Sequence, residues 1–345
     1  MAVERKSRPR AGVTYPKIEL HVHLEGAVRP ETLLEIARRN GYALPVDSVE
    51  GVRALYEYRD FAHFIEVFML TSGALEREDD FRQITVDYAE EAARHGAVYL
   101  EAIFSLGLWR GLDSDIVFSG VCDGADEARE RYGVEIRLTP DIARVYTPEE
   151  AMQVVRYAIK YRERGVVGVG LGGPEAEHPP EPYAPAFDFA RSEGLASVPH
   201  AGEHAGASSI RGALDALGAR RIRHGIRAID DPELVQELAE RRIVLDVCPI
   251  SNVRTGAVRS LVEHPLPQLL AAGVVCSLST DDPAMFGTNL STEYAAVGEL
   301  GLEPRGFYEA GLEGALCDES TRARLQALGD DFEWDAVPSP GVEVP

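Results

Sequence analysis

Eight short runs rich in β-branched residues punctuate this chain, each closed by polar, glycine or proline residues. They lie at 17–23, 97–104, 134–142, 166–171, 196–200, 221–224, 243–247 and 274–279. Stretches of helical periodicity follow at 30–40, 80–95, 113–132, 148–164, 182–192, 208–217, 232–240 and 265–272. Pro30 opens the first of these and Gly41 follows its end, the usual asymmetry of a helix. Strands that alternate with helices run parallel, because a helix carries the chain back to the starting edge of the sheet. Eight such units is the number that closes a (β/α)8 barrel, and 345 residues is within range for one. The competing arrangement is an open doubly wound sheet. The glycine fingerprint of its nucleotide-binding form is missing after the first strand.

Two insertions depart from the plain repeat. Residues 46–75, between the first helix and the second strand, contain a helix-like run at 61–70 and are long enough to lie over the barrel mouth as a lid. Residues 303–328 read as one or two helices packed outside the barrel. The domain reading is a single barrel over 15–329, a disordered basic leader over 1–14, and a disordered acidic, proline-rich tail over 330–345. The leader has no apolar core and is not a secretory signal. The net charge of −22 excludes nucleic acid and anionic membrane as partners and favours a neutral or cationic small molecule, unless the pocket is locally different. Cys122, Cys248, Cys276 and Cys317 are widely spaced, which fits free thiols in a reducing cytoplasm. Oligomeric state leaves no mark on the sequence.

The chemistry-bearing residues sit where strands end, which in a barrel is the face that carries the active site. His21 and His23 are two apart on the first strand and so share a face, the barrel interior. His200 ends the fifth run and Asp281 follows the eighth. Three imidazoles and a carboxylate suit Zn2+ or Fe2+. Glu203, three residues beyond His200, can face a substrate and shuttle protons if burial raises its pKa. His224 is either a fifth ligand or a base that holds the metal-bound water by a hydrogen bond. Asp282 points away from Asp281 and is free to accept a hydrogen bond from a substrate N–H.

These motifs, HVHLEG, HAGE, RHG and SLSTDDP, resemble those of the adenosine/adenine deaminase group of the amidohydrolase superfamily over roughly residues 17–294. The resemblance implies a (β/α)8 barrel with one Zn2+ per chain, held by His21, His23, His200 and Asp281. It also implies a catalytic set of Glu203, His224 and Asp281: Glu203 would protonate purine N1, and His224 would orient and deprotonate the attacking water. Asp282 would bond N7, and Gly173, in Gly170-Leu171-Gly172-Gly173, would offer its N–H to N3. The reaction implied is hydrolytic loss of a 6-amino group as ammonia. The cytidine-deaminase signature is absent, since Cys248-Pro249 leads only to Ile250-Ser251.

Two departures from the family pattern bear on substrate. Glu25 stands where adenosine-specific members usually have an aspartate facing the ribose. The fourth-strand loop GGPEAEHPP is similar to the nucleoside type at Gly172-Gly173 and to the adenine type at His178-Pro179-Pro180. The mixture implies an unusual 6-aminopurine nucleoside, 6-amino-6-deoxyfutalosine of menaquinone biosynthesis, with adenosine a close second and free adenine the alternative. Arg144, Arg227 and Arg254 are candidates to meet its anionic benzoate. A two-metal amide or ester hydrolase would need a bridging lysine, and the fourth strand has none. An inactive binding protein would have lost a ligand or Glu203, and neither is lost.

Overall fold

The computed structural model describes residues 15–106 and 111–337. Its strands, all parallel, are β1 (Lys17–His23), β2 (Ala97–Ile103), β3 (Glu135–Leu138, resuming at Asp141–Ala143), β4 (Gly168–Gly172), β5 (Ala196–Ser197, resuming at His200–Ala201), β6 (Arg221–His224), β7 (Val244–Val247) and β8 (Cys276–Leu278). The two interruptions fall at Pro140 and Pro199, which lack the N–H a ladder needs. Neighbouring bonds bridge both gaps. Thr139 N–H donates to Ala102 O at 3.0 Å, and Pro140 O accepts from Gly170 N at 3.0 Å. Val198 N–H donates to Val169 O at 3.0 Å, and Pro199 O accepts from Arg223 N at 3.0 Å. The ring closes between the last strand and the first, where His23 N donates to Asp281 O at 2.8 Å and Asp281 N donates to His21 O at 3.1 Å. Eight strands, two of them interrupted, thus make one barrel.

The alternation along β1 divides core from site. Ile18 and Leu20 face outward onto Tyr308 and Leu312 of the helix Pro304–Gly314. Glu19, His21 and His23 face inward, and all of β1 is buried. The interior is held by ions as well as by packing. Arg221 bonds Glu101 at 2.6 Å and also bonds Asp246, while Arg223 bonds Asp141 at 2.5 Å and Thr139 at 2.7 Å. Charges this deep persist only because each is paired and hydrogen-bonded.

The insertion forms two helices, Val49–Leu55 and Phe61–Ser72, each started by a side-chain cap: Ser48 accepts from Gly51 N at 3.1 Å and Asp60 from His63 N at 2.8 Å. Outside the barrel lie Pro304–Gly314 and Glu319–Asp331. The expected disordered tail is corrected in its first part. The last helix runs to Asp331, and a 3-10 turn follows at Trp334–Ala336. The ring of Trp334 packs 5.4 Å from Tyr308, so an aromatic anchor orders a stretch that looks merely acidic. Residues 338–345 and the leader 1–14 lie outside the described residues. Among the described residues no helix is long and apolar enough to cross a membrane.

Candidate metal centre and substrate cavity

The metal candidates converge at the C-terminal mouth of the barrel. His21 Nε2 lies 3.2 Å and His23 Nε2 3.4 Å from Asp281 Oδ1, and His23 Nε2 is 3.2 Å from His200 Nε2. His21, His200, His224 and Asp281 offer ligand atoms all within 4.8 Å of one another.

The surroundings of each ring decide which nitrogen carries its proton. His200 Nδ1 faces the Leu171 carbonyl at 3.0 Å, and His21 Nδ1 faces the Asp246 carbonyl at 3.4 Å. Carbonyls only accept, so both rings are protonated at Nδ1 and turn a lone pair inward from Nε2. His21 Nε2 is buried without a hydrogen-bond partner. Burial holds His21 and His200 well below the ordinary imidazole range and His23 at about 3, so none brings a positive charge. Inward lone pairs beside a carboxylate lack only a cation, and this donor set fits a divalent metal. Ser251 Oγ donates to Asp281 Oδ2 at 2.6 Å and fixes the carboxylate.

His224 differs from the other rings. Leu266 N donates to His264 Nδ1 at 3.1 Å, so His264 donates from Nε2 to Asn252 Oδ1 at 3.2 Å. That orients the Asn252 amide, whose Nδ2 donates to His224 Nδ1 at 3.1 Å. The proton of His224 therefore sits on Nε2, which points at Glu203 Oε2 at 3.5 Å and Asp281 Oδ2 at 3.7 Å. In this state the ring is a hydrogen-bond donor beside the site.

Glu203 is nearly buried, and Asn252 Nδ2 and Thr255 Oγ1 donate to its Oε1 at 3.3 and 3.2 Å. Burial, then the charges of Asp281 and Glu175, push its pKa well above the ordinary carboxylate range. Asp282 is raised likewise, by burial first and by Asp281 next, and its Oδ1 has no partner. It lies against the backbone of Gly26, where an added Cβ would fall 1.7 Å from Asp282 Oδ1. His224 and Asp281 both hold φ in the left-handed region, at 61° and 67°. That conformation is unfavourable for a side-chain-bearing residue and turns both groups in from the strand ends.

These residues line a cavity of about 260 Å³. Phe61, Phe64, Phe68 and Met69 of the inserted helix wall one side; Asp141, Gly172, Gly173, Glu175, Glu203 and Asp282 wall the other. Gly173 has φ 107°, so its backbone turns into the cavity in a way a larger residue resists. Of the residues expected from sequence, His23, Gly173, His200, Glu203, His224, Asp281 and Asp282 line the cavity, and His21 lies directly behind. Glu25 is not on its wall. It is buried and accepts the Ser105 N–H at 2.6 Å, with burial raising its pKa to about 8. Two of the three arginines are also off the wall: Arg227 donates to Ala257 O at 2.7 Å and Arg254 to Tyr56 O at 2.9 Å. Arg144 lines the cavity but donates to the carbonyls of His178 and His200. None of the three is a free cation.

Sequence reasoning missed Glu175, Ser251, Asn252, Thr255 and His264. Ser251 and Asn252 ride on the six-residue helix Pro249–Arg254. Its only signal is Cys-Pro directly after the seventh strand.

A parallel eight-stranded barrel with imidazole lone pairs and a carboxylate gathered at its C-terminal mouth defines a metal-dependent hydrolase. The adenosine deaminase family model matches residues 16–330. The chain is 51% identical over 328 residues to the aminodeoxyfutalosine deaminase of Acidothermus cellulolyticus, covering 92% of each. Its structure resembles the crystal structure of an adenine deaminase from Arthrobacter aurescens, with TM-score 0.87, 31% identity and coverage of 92% of this chain and 98% of that one. It also resembles an amidohydrolase from Burkhoderia ambifaria with bound Zn, with TM-score 0.85, 29% identity and coverage of 93% and 91%. The chain belongs to the adenosine deaminase family, a class of hydrolytic, metal-dependent enzymes.

Proposed function

We propose that this protein is a zinc-dependent deaminase that hydrolyses the 6-amino group of a purine nucleoside, with 6-amino-6-deoxyfutalosine as its preferred substrate. The observation that carries the chemistry is the convergence of His21, His23, His200 and Asp281 beside Glu203, whose burial pushes its pKa well above the ordinary carboxylate range. These four residues would hold Zn2+, which when bound lowers the pKa of a water toward ~7 and so supplies a nucleophile at neutral pH. The bound Zn of the Burkhoderia relative supports the choice of metal.

The chain's own groups account for the remaining steps. Glu203 donates its proton to ring N1, which makes C6 electrophilic. Its carboxylate then takes one proton of the attacking water and returns it to the departing nitrogen, so ammonia leaves neutral; the second water proton, lost as C6 becomes a carbonyl, restores the acid. His224 orients the water through its Nε2–H. An N9-substituted purine presents N7 as an acceptor. A protonated Asp282 can donate to it, and the Gly173 N–H reaches N3. The helix Phe61–Ser72 excludes water from one side.

The substrate within this class rests on the 51% identity to a protein named for aminodeoxyfutalosine, over 92% of both chains. Met69 and Val145, on the cavity wall, are 56% and 55% exposed and offer an apolar rim to an aromatic substituent. Free adenine is the second reading, favoured by the adenine deaminase of Arthrobacter aurescens. The free cysteines, Cys122, Cys248, Cys276 and Cys317, fit a reducing cytoplasm, where we place the enzyme. Prolonged chelation should abolish ammonia release, re-addition of zinc should restore it, and elemental analysis should give about one zinc per chain. Full turnover after complete metal removal would overturn the mechanism, and about two metals per chain would point to the binuclear amide hydrolases.

A further inference from the structure

The loop that presents Glu203 is held by one carboxylate from the neighbouring strand's loop. Glu175 Oε1 accepts the Gly202 N–H. Its Oε2 accepts three more, from Glu203 at 3.1 Å, His204 at 3.0 Å and Ala205 at 3.0 Å. Four successive backbone donors thus converge on a single side chain that is only 7% exposed. Bonds from N–H groups to an ionised carboxylate are the stronger kind, and inside a barrel they are strengthened further. The backbone they fix is not free to settle otherwise. Gly202 has φ 73°, and an added Cβ there would lie 2.4 Å from Ile210.

Glu175 also lines the cavity two residues beyond Gly173. It therefore ties the loop expected to meet the purine at N3 to the loop expected to protonate it at N1. The far end of Glu203 is held separately, by Asn252 and Thr255 at its carboxylate. Backbone and side chain of the acid are thus fixed from two independent elements. An error of about 1 Å in such a group can lower a rate ~10²-fold.

We propose that Glu175 is a positioning residue for this reaction: its carboxylate, clasping four backbone N–H groups, sets where Glu203 delivers its proton. The inference rests on Glu203 being the proton donor. Glu175→Gln keeps the shape but turns an amide –NH2 toward N–H donors, which breaks part of the clasp.

The test is a double-mutant cycle on the zinc-loaded full chain, using Glu175→Gln, Glu203→Gln and the pair. Glu175→Gln should lower kcat by at least about tenfold with KM within about threefold and zinc retained. In the Glu203→Gln background the same change should lower kcat by less than about threefold, because the group it positions is gone. A merely structural role predicts losses that multiply, and that result overturns the proposal. So does a rise in KM with kcat unchanged, which would make Glu175 a substrate contact, or loss of zinc. If the amide variant does not fold, the cycle is run with Glu175→Asp, which keeps the charge and shortens the reach, and the same two outcomes decide. Absence of any effect from Glu203→Gln alone would instead refute the proposed function, so the two failures are distinguishable.

Discussion

At the scale of single residues, the metal candidates were legible only together: a histidine pair can be core rings bonded to backbone and an aspartate can be a turn cap, but their recurrence at several strand ends is a pattern packing does not produce. In the structure His21 and His23 do meet Asp281. Glu203→Gln should keep its zinc and lose at least ~10² in kcat, the usual contribution of a general acid. Loss of the metal in that variant would show Glu203 to be a ligand, and unchanged kcat would show it to be a bystander. The residues that orient these groups left no such trace. Glu175 is one of three acids in the proline-rich stretch 174–181, and only the fold brings four N–H groups to it alone. Asn252 and His264 are twelve apart on different elements, and their relay to His224 exists only in three dimensions. Glu25 is different again. It stands where adenosine-specific members usually have an aspartate facing the ribose, and here it lies behind the cavity wall with Oε1 accepting the Ser105 N–H and Oε2 buried without a hydrogen-bond partner.

At the scale of elements, the helical segments were read from periodicity and caps, and their bounds shift by only a few residues. The strand at 134–142 is the clearer failure, because Pro140 breaks the ladder that a continuous β-branched run implies. The short helices Pro249–Arg254 and Pro283–Phe286 went unread, since six and four residues are too few to show a period. The inserted helix Phe61–Ser72 presents Phe68 to the cavity with its ring 6.3 Å from that of His23. Phe68→Ala should raise KM by about tenfold, some ~1.4 kcal/mol of binding, with a smaller change in kcat. An unchanged KM would remove the lid from substrate binding. The last helix, Glu319–Asp331, is capped by Asp318, which accepts from Thr321 N at 2.9 Å. Asp318→Ala should lower stability by about 1 kcal/mol, read from chemical denaturation. The bonds from Ser320, Thr321 and Arg137 depress the Asp318 pKa. Its contribution is therefore present above the ordinary carboxylate pKa and lost as pH falls through the depressed one, so wild type and variant should converge on acidification. A gap that persisted at low pH would contradict the cap.

At the scale of the whole molecule, the strand count implied a closed barrel, and the backbone bonds between Asp281 and β1 join its first and last strands. In the proposed mechanism Zn2+, Glu203 and Asp282 would recognise the 6-aminopurine that every reading shares, and what distinguishes the readings is the group on N9. The cavity of about 260 Å³ has an apolar, partly exposed rim at Met69 and Val145, which favours a substituted base over a free one. Free adenine would leave that rim wet and its contacts unmade, and binding energy available to the transition state would be lost. The most direct test is a parallel measurement of kcat/KM, by ammonia release, for 6-amino-6-deoxyfutalosine, adenosine, 5′-methylthioadenosine and adenine. The modified nucleoside should exceed each of the others by at least about tenfold, equivalent to ~1.4 kcal/mol of transition-state binding. Adenine as the best substrate would contradict the nucleoside reading, and adenosine ahead by about tenfold would contradict the preference for the modified one.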